Sequence, residues 1–191
     1  MTPLKLVSLD DVVVFPGMPV TLPADPNGDT RVLLIPRRGN GYAKVGVVAE
    51  VSERAPQGAR HLVLFTALHR GVPGAAHTDQ DGVLRVEVDE RPDATPPPNL
   101  TRELDREYRA VVEEILALRG DDGRISAFVR SITQPGALAD TAGYSPDLNV
   151  DQKLQLLETL DVVERLSLAL QFQQDRLAEL RVRKQIGRAH V

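Results

Sequence analysis

The sequence predicts an α+β protein: a β-rich first half that closes into a small barrel or sandwich, followed by a helical bundle with a long exit helix. Three observations predict it. Residues 1–99 carry short Val-rich apolar runs separated by Gly and Pro. Residues 100–191 carry apolar residues at helical spacing. Between them Pro96-Pro97-Pro98 interrupts both patterns, since three prolines continue neither a strand ladder nor a helix.

In the first half, Leu4-Lys5-Leu6-Val7 and Val12-Val13-Val14-Phe15 read as strands separated by Asp10-Asp11. Pro16-Gly17 supplies turn chemistry and Pro19-Val20-Thr21-Leu22 resumes extended structure. Val32-Leu33-Leu34-Ile35, the stretch from Val45 to Val51, and His61 to Phe65 after a Pro56-Gln57-Gly58 turn follow as strands. Leu84, Val86 and Val88 alternate with Arg85, Glu87 and Asp89, a strand with one wet face.

The second half predicts four helices. Asn99 or Thr101 is placed to cap the first, whose stripe is Leu104, Tyr108, Val111, Val112, Ile115 and Leu116, with Gly120 as its stop. Ile125, Phe128, Val129 and Ile132 stripe a short second helix. Pro135 opens a third, with Leu138 and Ala142 on its face and Gly143 at its end. Asn149 with Gln152 forms a capping box at the start of the fourth, which buries Leu154, Leu157 and Leu160. Asp161 with Glu164 is a second such pair, so the helix restarts or bends there. Val163, Leu166, Leu170, Gln173, Leu177, Leu180 and Lys184 then step by three and four, a heptad seam. That seam fits either an amphipathic helix closing the bundle or a helix connecting to something beyond it.

Composition excludes several classes of function. The 191 residues contain no Cys, which removes disulfides, thiolate metal sites and thiol nucleophiles. Net charge is −4, and each half is net −2, which argues against non-specific nucleic-acid binding. No stretch reaches the roughly 18 apolar residues of a membrane span. Asp10 and Asp11 interrupt any N-terminal signal peptide, so the cytoplasm is the expected compartment. No glycine precedes a lysine, so there is no P-loop, and neither Gly-x-Ser-x-Gly nor His-Glu-x-x-His occurs. His61, His69 and His77 lie eight apart, which is not a helical metal-ligand spacing. Asp121-Asp122 between Gly120 and Gly123 reads as a turn. No catalytic residue, metal ligand or cofactor-binding residue is assigned; the pattern is that of a binding or scaffolding module.

Two stretches resemble a known family. Leu9-Asp10-Asp11-Val12-Val13-Val14-Phe15-Pro16-Gly17-Met18 is similar to the opening of the N-terminal domain of Lon proteases. Pro135-Gly136-Ala137-Leu138-Ala139-Asp140-Thr141-Ala142-Gly143-Tyr144, with the run from Asp151 to Leu166, resembles the helical portion of the same domain. The likeness extends from Leu4 to about Lys184 and is strongest to the actinobacterial branch. It implies a β-barrel or pseudo-barrel of the pseudouridine-synthase-associated (PUA-like) type, then a helical bundle and a long helix leading to an ATPase and a Ser–Lys peptidase. The ATP and Mg of the parent would belong to that absent portion.

The function implied is recognition of misfolded or tagged proteins, with support of a homohexamer, for a cytoplasmic ATP-dependent serine protease. The resemblance turns attention to Phe15, Pro16, Met18 and Leu22 as substrate contacts on the β-domain and in the cleft against the helices, though Phe15 and Leu22 also read as core. It turns attention to Val163, Leu166, Leu170, Leu177 and Leu180 as an oligomer or exit-helix seam, with Leu177 and Leu180 exposed and self-associating. The alternatives are a stand-alone domain of this type binding a peptide or small ligand, and an RNA-binding barrel, which the acidic charge disfavours. The expected organisation is 1–93 β-rich, 94–99 linker, 100–185 helical, and 186–191 foreign to the protein, since Ile186-Gly187-Arg188-Ala189-His190-Val191 resembles a translated sequencing adapter. The family usually places a helix of about ten residues after its third strand; Pro23, Pro26 and Gly28 forbid one between Leu22 and Val32.

Overall fold

A computed structural model describes residues 1–25, 28–57 and 60–189. Pro26, Gly58 of the expected turn, and His190 and Val191 of the expected tail lie outside the described residues. The chain divides into two compact units, Met1–Asp93 and Ala94–Val191.

The first unit holds seven strands: β1 Thr2–Leu9, β2 Pro19–Pro23, β3 Arg31–Arg38, β4 Gly41–Tyr42, β5 Gly46–Gln57, β6 Arg60–Thr78 and β7 Leu84–Arg91. They run in the order β1-β7-β6-β5-β3-β4, and β1 also pairs with β3, so five strands close into a ring. The closing pair is parallel, with Lys5 opposite Val32 and Leu9 opposite Pro36. The other pairings are antiparallel. Closure needs strong local bending, and the β5–β6 pair shifts register between Val48 and Ala49 and between Val51 and Glu53. Val32, Leu33, Leu34 and Ile35 are consecutive and all fully buried, so both faces of β3 are covered.

Two devices hold the ring. Gly46 faces Gly71 across β5 and β6. A Cβ on Gly46 would stand 2.7 Å from the Leu34 carbonyl oxygen, so only glycine lets the strands approach this closely. The second device is Glu90 on β7, whose carboxylate gathers three other strands. Thr2 donates to Oε2 at 2.7 Å, His69 Nε2 lies 2.8 Å from Oε1, and Arg31 also reaches Oε1. The bonds from Thr2 and then His69 and Arg31 outweigh desolvation and hold the Glu90 carboxyl down to about 2.

The Val12–Phe15 run differs from its expectation as a strand. It enters no ladder, and Asp11 turns the chain away from β1 with φ +58°. Val13, Val14 and Phe15 are buried nonetheless. Consecutive apolar residues record burial, but they do not say whether a ladder partner exists.

The second unit has five α-helices rather than four: α1 Pro98–Arg119, α2 Arg124–Ser131, α3 Pro135–Asp140, α4 Val150–Glu158 and α5 Val162–Ala189, with one 3-10 turn at Thr141–Tyr144. Pro98 does not end the extended segment; it is the first residue of α1, with Pro97 in the cap position and no side-chain cap from Asn99 or Thr101. Proline suits that place because the first N–H groups of a helix have no intrahelical acceptor. The Asn149–Gln152 box is formed in both directions.

At Asp161 the chain restarts rather than bends, with Glu164 N–H donating to Asp161 Oδ2 at 2.9 Å. Arg165, fully buried, donates to the Thr159 and Leu160 carbonyls left over at the end of α4 and lies 3.6 Å from buried Asp140. One buried guanidinium thus ties the α4–α5 connection to the end of α3.

Candidate functional site

In the β unit, Phe15-Pro16-Gly17-Met18 forms a tight turn. Met18 N–H donates to the Phe15 carbonyl at 3.1 Å, and Gly17 has φ +89°. Proline then glycine at the two central positions is the chemistry of a type II turn. The turn is clamped onto β6: Gly17 N–H donates to the Ala67 carbonyl at 2.9 Å, and Ala67 N–H to the Met18 carbonyl at 3.0 Å. Phe15 is fully buried, with the Arg70 guanidinium 5.9 Å from its ring centroid. This corrects its assignment as a contact residue: its side chain anchors the turn and offers no surface. Pro16, Met18 and Leu22 are half-buried.

The edge beside them is closed to added strands. β2 pairs with β6 alone among the described strands. Ala24 N–H donates to His61 O at 3.1 Å, so by alternation Leu22 and Val20 also turn their N–H groups inward. Pro19, Thr21 and Pro23 occupy the outward positions, where two prolines leave Thr21 as the one outward donor. A ligand here would meet side chains, not a strand edge.

The seam on α5 is also corrected. Leu166, Leu170 and Leu177 are buried, with Val163 and Leu180 half-buried, and α5 packs on α1, α3 and α4 of its own unit. Leu177 is 5% exposed, so the expected self-association through it loses its basis. The seam repeats because a three-and-four spacing serves any helix packed along one side. Only the stretch Arg181–Ala189 is exposed throughout.

The feature that sequence reasoning missed lies in the helical unit. The expected stripe of α2 is only partly buried: Val129 is covered, but Ile125 is 54% exposed and Phe128 49%. With α1, the 3-10 turn and α5 they line an apolar groove with a cavity of about 310 Å³. That is within the range of small-ligand and side-chain pockets. Val112, Ile115 and Leu116 of α1 form its wall; Phe128 stacks on Tyr144, centroids 6.2 Å apart at 21°.

The floor is polar but satisfied. Thr141 Oγ1 donates to the Leu138 carbonyl at 2.6 Å, which leaves Tyr108 OH to donate to Thr141 at 2.7 Å and to accept from Gln173 Nε2 at 3.4 Å. Burial pushes the Tyr108 hydroxyl up, so it stays a neutral donor. At the rim Arg119 contacts Asp147, which also receives Arg176 at 3.2 Å. Burial, and then the neighbouring Arg176 charge, push Arg119 down from its ordinary value. The groove is thus apolar along its walls, with a neutral, hydrogen-bonded floor and a charged rim.

The family model for the substrate-binding domain of ATP-dependent protease La (Lon) matches residues 25–175. The chain belongs to the Lon substrate-binding domain family. The Lon protease of Salinispora arenicola (strain CNS-205) is 36% identical over 200 residues, 98% of this chain and 25% of that protein. That of Chloroflexus aurantiacus is 36% identical over 205 residues, 96% of this chain and 24% of its own length. The chain thus spans about a quarter of the curated relatives it matches. Among solved structures, the N-terminal domain of Mycobacterium avium complex Lon protease superposes with a TM-score of 0.78 at 29% identity, covering 91% of this chain and 99% of that one. The Lon N-terminal domain protein from Xanthomonas campestris, at TM-score 0.61 and 17% identity over 87% of this chain and 96% of that one, shows the shared fold alone.

The matched region is the substrate-binding portion of a Lon protease and not its ATPase or peptidase portion. Between β2 and β3 of this Lon domain no helix occurs among the described residues.

Proposed function

We propose that this chain captures apolar segments of unfolded or tagged proteins for a Lon protease that degrades them with ATP, and that it does so mainly through the groove of the helical unit. The observation that carries this reading is the pair Ile125 and Phe128, half exposed beside an apolar cavity that the unit itself leaves unfilled. Pro16, Met18 and Leu22 are a second, smaller apolar contact on the β unit. The parent is read as a cytoplasmic homohexamer. Within this chain we read residues 1–93 as the β-rich subdomain, 100–185 as the helical subdomain, whose first helix reaches back to Pro98 and so shortens the expected 94–99 linker, and 186–191 as a foreign tail. No helix among the described residues is long and apolar enough to cross a membrane. The relatives named above are Lon proteases, which favours this reading over a separate peptide or small-ligand binder.

The test is binding of a permanently unfolded model protein to the intact chain, against a folded acidic protein as control. Saturable binding of the unfolded form, weakened by Phe128→Ser, is the expected result. Equal binding of the two proteins contradicts the proposal.

A further inference from the structure

The charge at the rim of the groove carries a second step, which rests on the groove being the binding site. Arg119 is the one charged side chain among the described lining residues. It shares Asp147 with Arg176, so two guanidiniums meet one carboxylate. Glu179, the other partner of Arg176, has a well-exposed side chain, and Arg176 Nε is buried with no acceptor. Among the groups in contact here, Arg119 and Arg176 outnumber the one half-buried carboxylate, Asp147, by one positive charge, which attracts an arriving carboxylate and repels an arriving ammonium. The lining runs along α1 from Tyr108 to Arg119. At about 1.5 Å per helical residue that is about 16 Å, the reach of about five extended residues. Tyr108 at one end belongs to the buried floor and Arg119 at the other to the rim, so apolar side chains fill the inner part and a charged neighbour along the chain meets the rim.

We infer that the groove selects an internal peptide segment in which large apolar side chains lead to an Asp or Glu. The apolar side chains lie against Phe128 and Val112, and the carboxylate pairs with Arg119. Apolar segments ending in Lys or Arg are discriminated against by the same charge.

The test uses the intact chain and three labelled ten-residue peptides that share one Leu/Phe-rich core and carry Asp, Asn or Lys at the same flanking position, read by fluorescence anisotropy. The Asp peptide is expected to bind about three- to tenfold more tightly than the Asn peptide, with the Lys peptide weakest and the differences shrinking in salt. Arg119→Gln is expected to erase the Asp preference, bringing the affinities of the Asp and Asn peptides together. Asp147→Asn, which keeps both guanidiniums and removes their shared partner, is expected to widen it, so the inference stays testable if Arg119→Gln fails to fold. Equal affinities for Asp and Asn peptides in the unmodified chain overturn the inference, as does an Asp preference that survives in Arg119→Gln or narrows in Asp147→Asn. The groove reading itself fails separately, when Phe128→Ser leaves the affinity for the Asn peptide untouched.

Discussion

Gly46 and Glu90 show how single residues decide whether the ring closes. Gly46→Ala sets a methyl group against the Leu34 carbonyl oxygen, a backbone atom that has no rotamer to give. The expected cost is about 1–3 kcal/mol, read from denaturant midpoints. Glu90 acts through pH. Its folded carboxyl lies near 2 and its ordinary value is 4.5, so its contribution is present above about pH 4.5 and is lost as pH falls from there towards 2. Glu90→Gln is expected to cost about 1–3 kcal/mol at pH 7 and to remove most of that acid-limb loss, so that the two stability profiles draw together from about pH 4.5 and converge near pH 2. Parallel profiles down to pH 2 would contradict the role given to this carboxylate.

At the scale of elements, α2 and α5 make opposite cases. The α2 stripe was legible in the sequence, but its meaning was not. Ile125, Phe128 and Val129 fall on one helical face, and periodicity tells apolar from polar without telling whether a neighbour covers the face. An eight-residue helix beside a cavity leaves part of its face open. Ile125→Ser is therefore expected to change stability by less than about 1 kcal/mol while lowering affinity for unfolded protein. On α5 the seam was legible and its partner was not: α1 and α3 cover it up to Leu177. Ending the chain after Arg181 removes residues that are all exposed among the described ones and is expected to leave Tm nearly unchanged. Ending it after Asp175 removes buried Leu177 and the Arg176–Asp147 pair, with an expected loss of about 2–5 kcal/mol. Equal Tm values for the two truncations would show that the end of α5 does not belong to the bundle.

For the whole molecule, most of the architecture could be read from the order of the residues because each half carries one dominant period. Alternation at Leu84–Val88 marked β7, and the Asn149–Gln152 box marked the start of α4. The two-residue strand β4 and the β1–β3 closure left no trace, since pairing between distant strands is set by tertiary geometry. The motif at Phe15–Met18 pointed to the family correctly, and of the two readings of Phe15, contact or core, the structure has the core one, because the same turn that makes the motif distinctive buries its aromatic ring. The groove was invisible for a related reason: Tyr108, Phe128, Tyr144 and Gln173 are far apart in the chain and meet only in the folded unit.

The claim that this groove, more than the β-unit turn, holds unfolded polypeptide is tested most directly by backbone amide shifts. An unfolded protein titrated into the isotopically labelled chain is expected to move the signals of Ile125–Val129, Tyr144 and Arg119 first and furthest. Shifts confined to Pro16–Leu22, or none at saturating ligand, would contradict it.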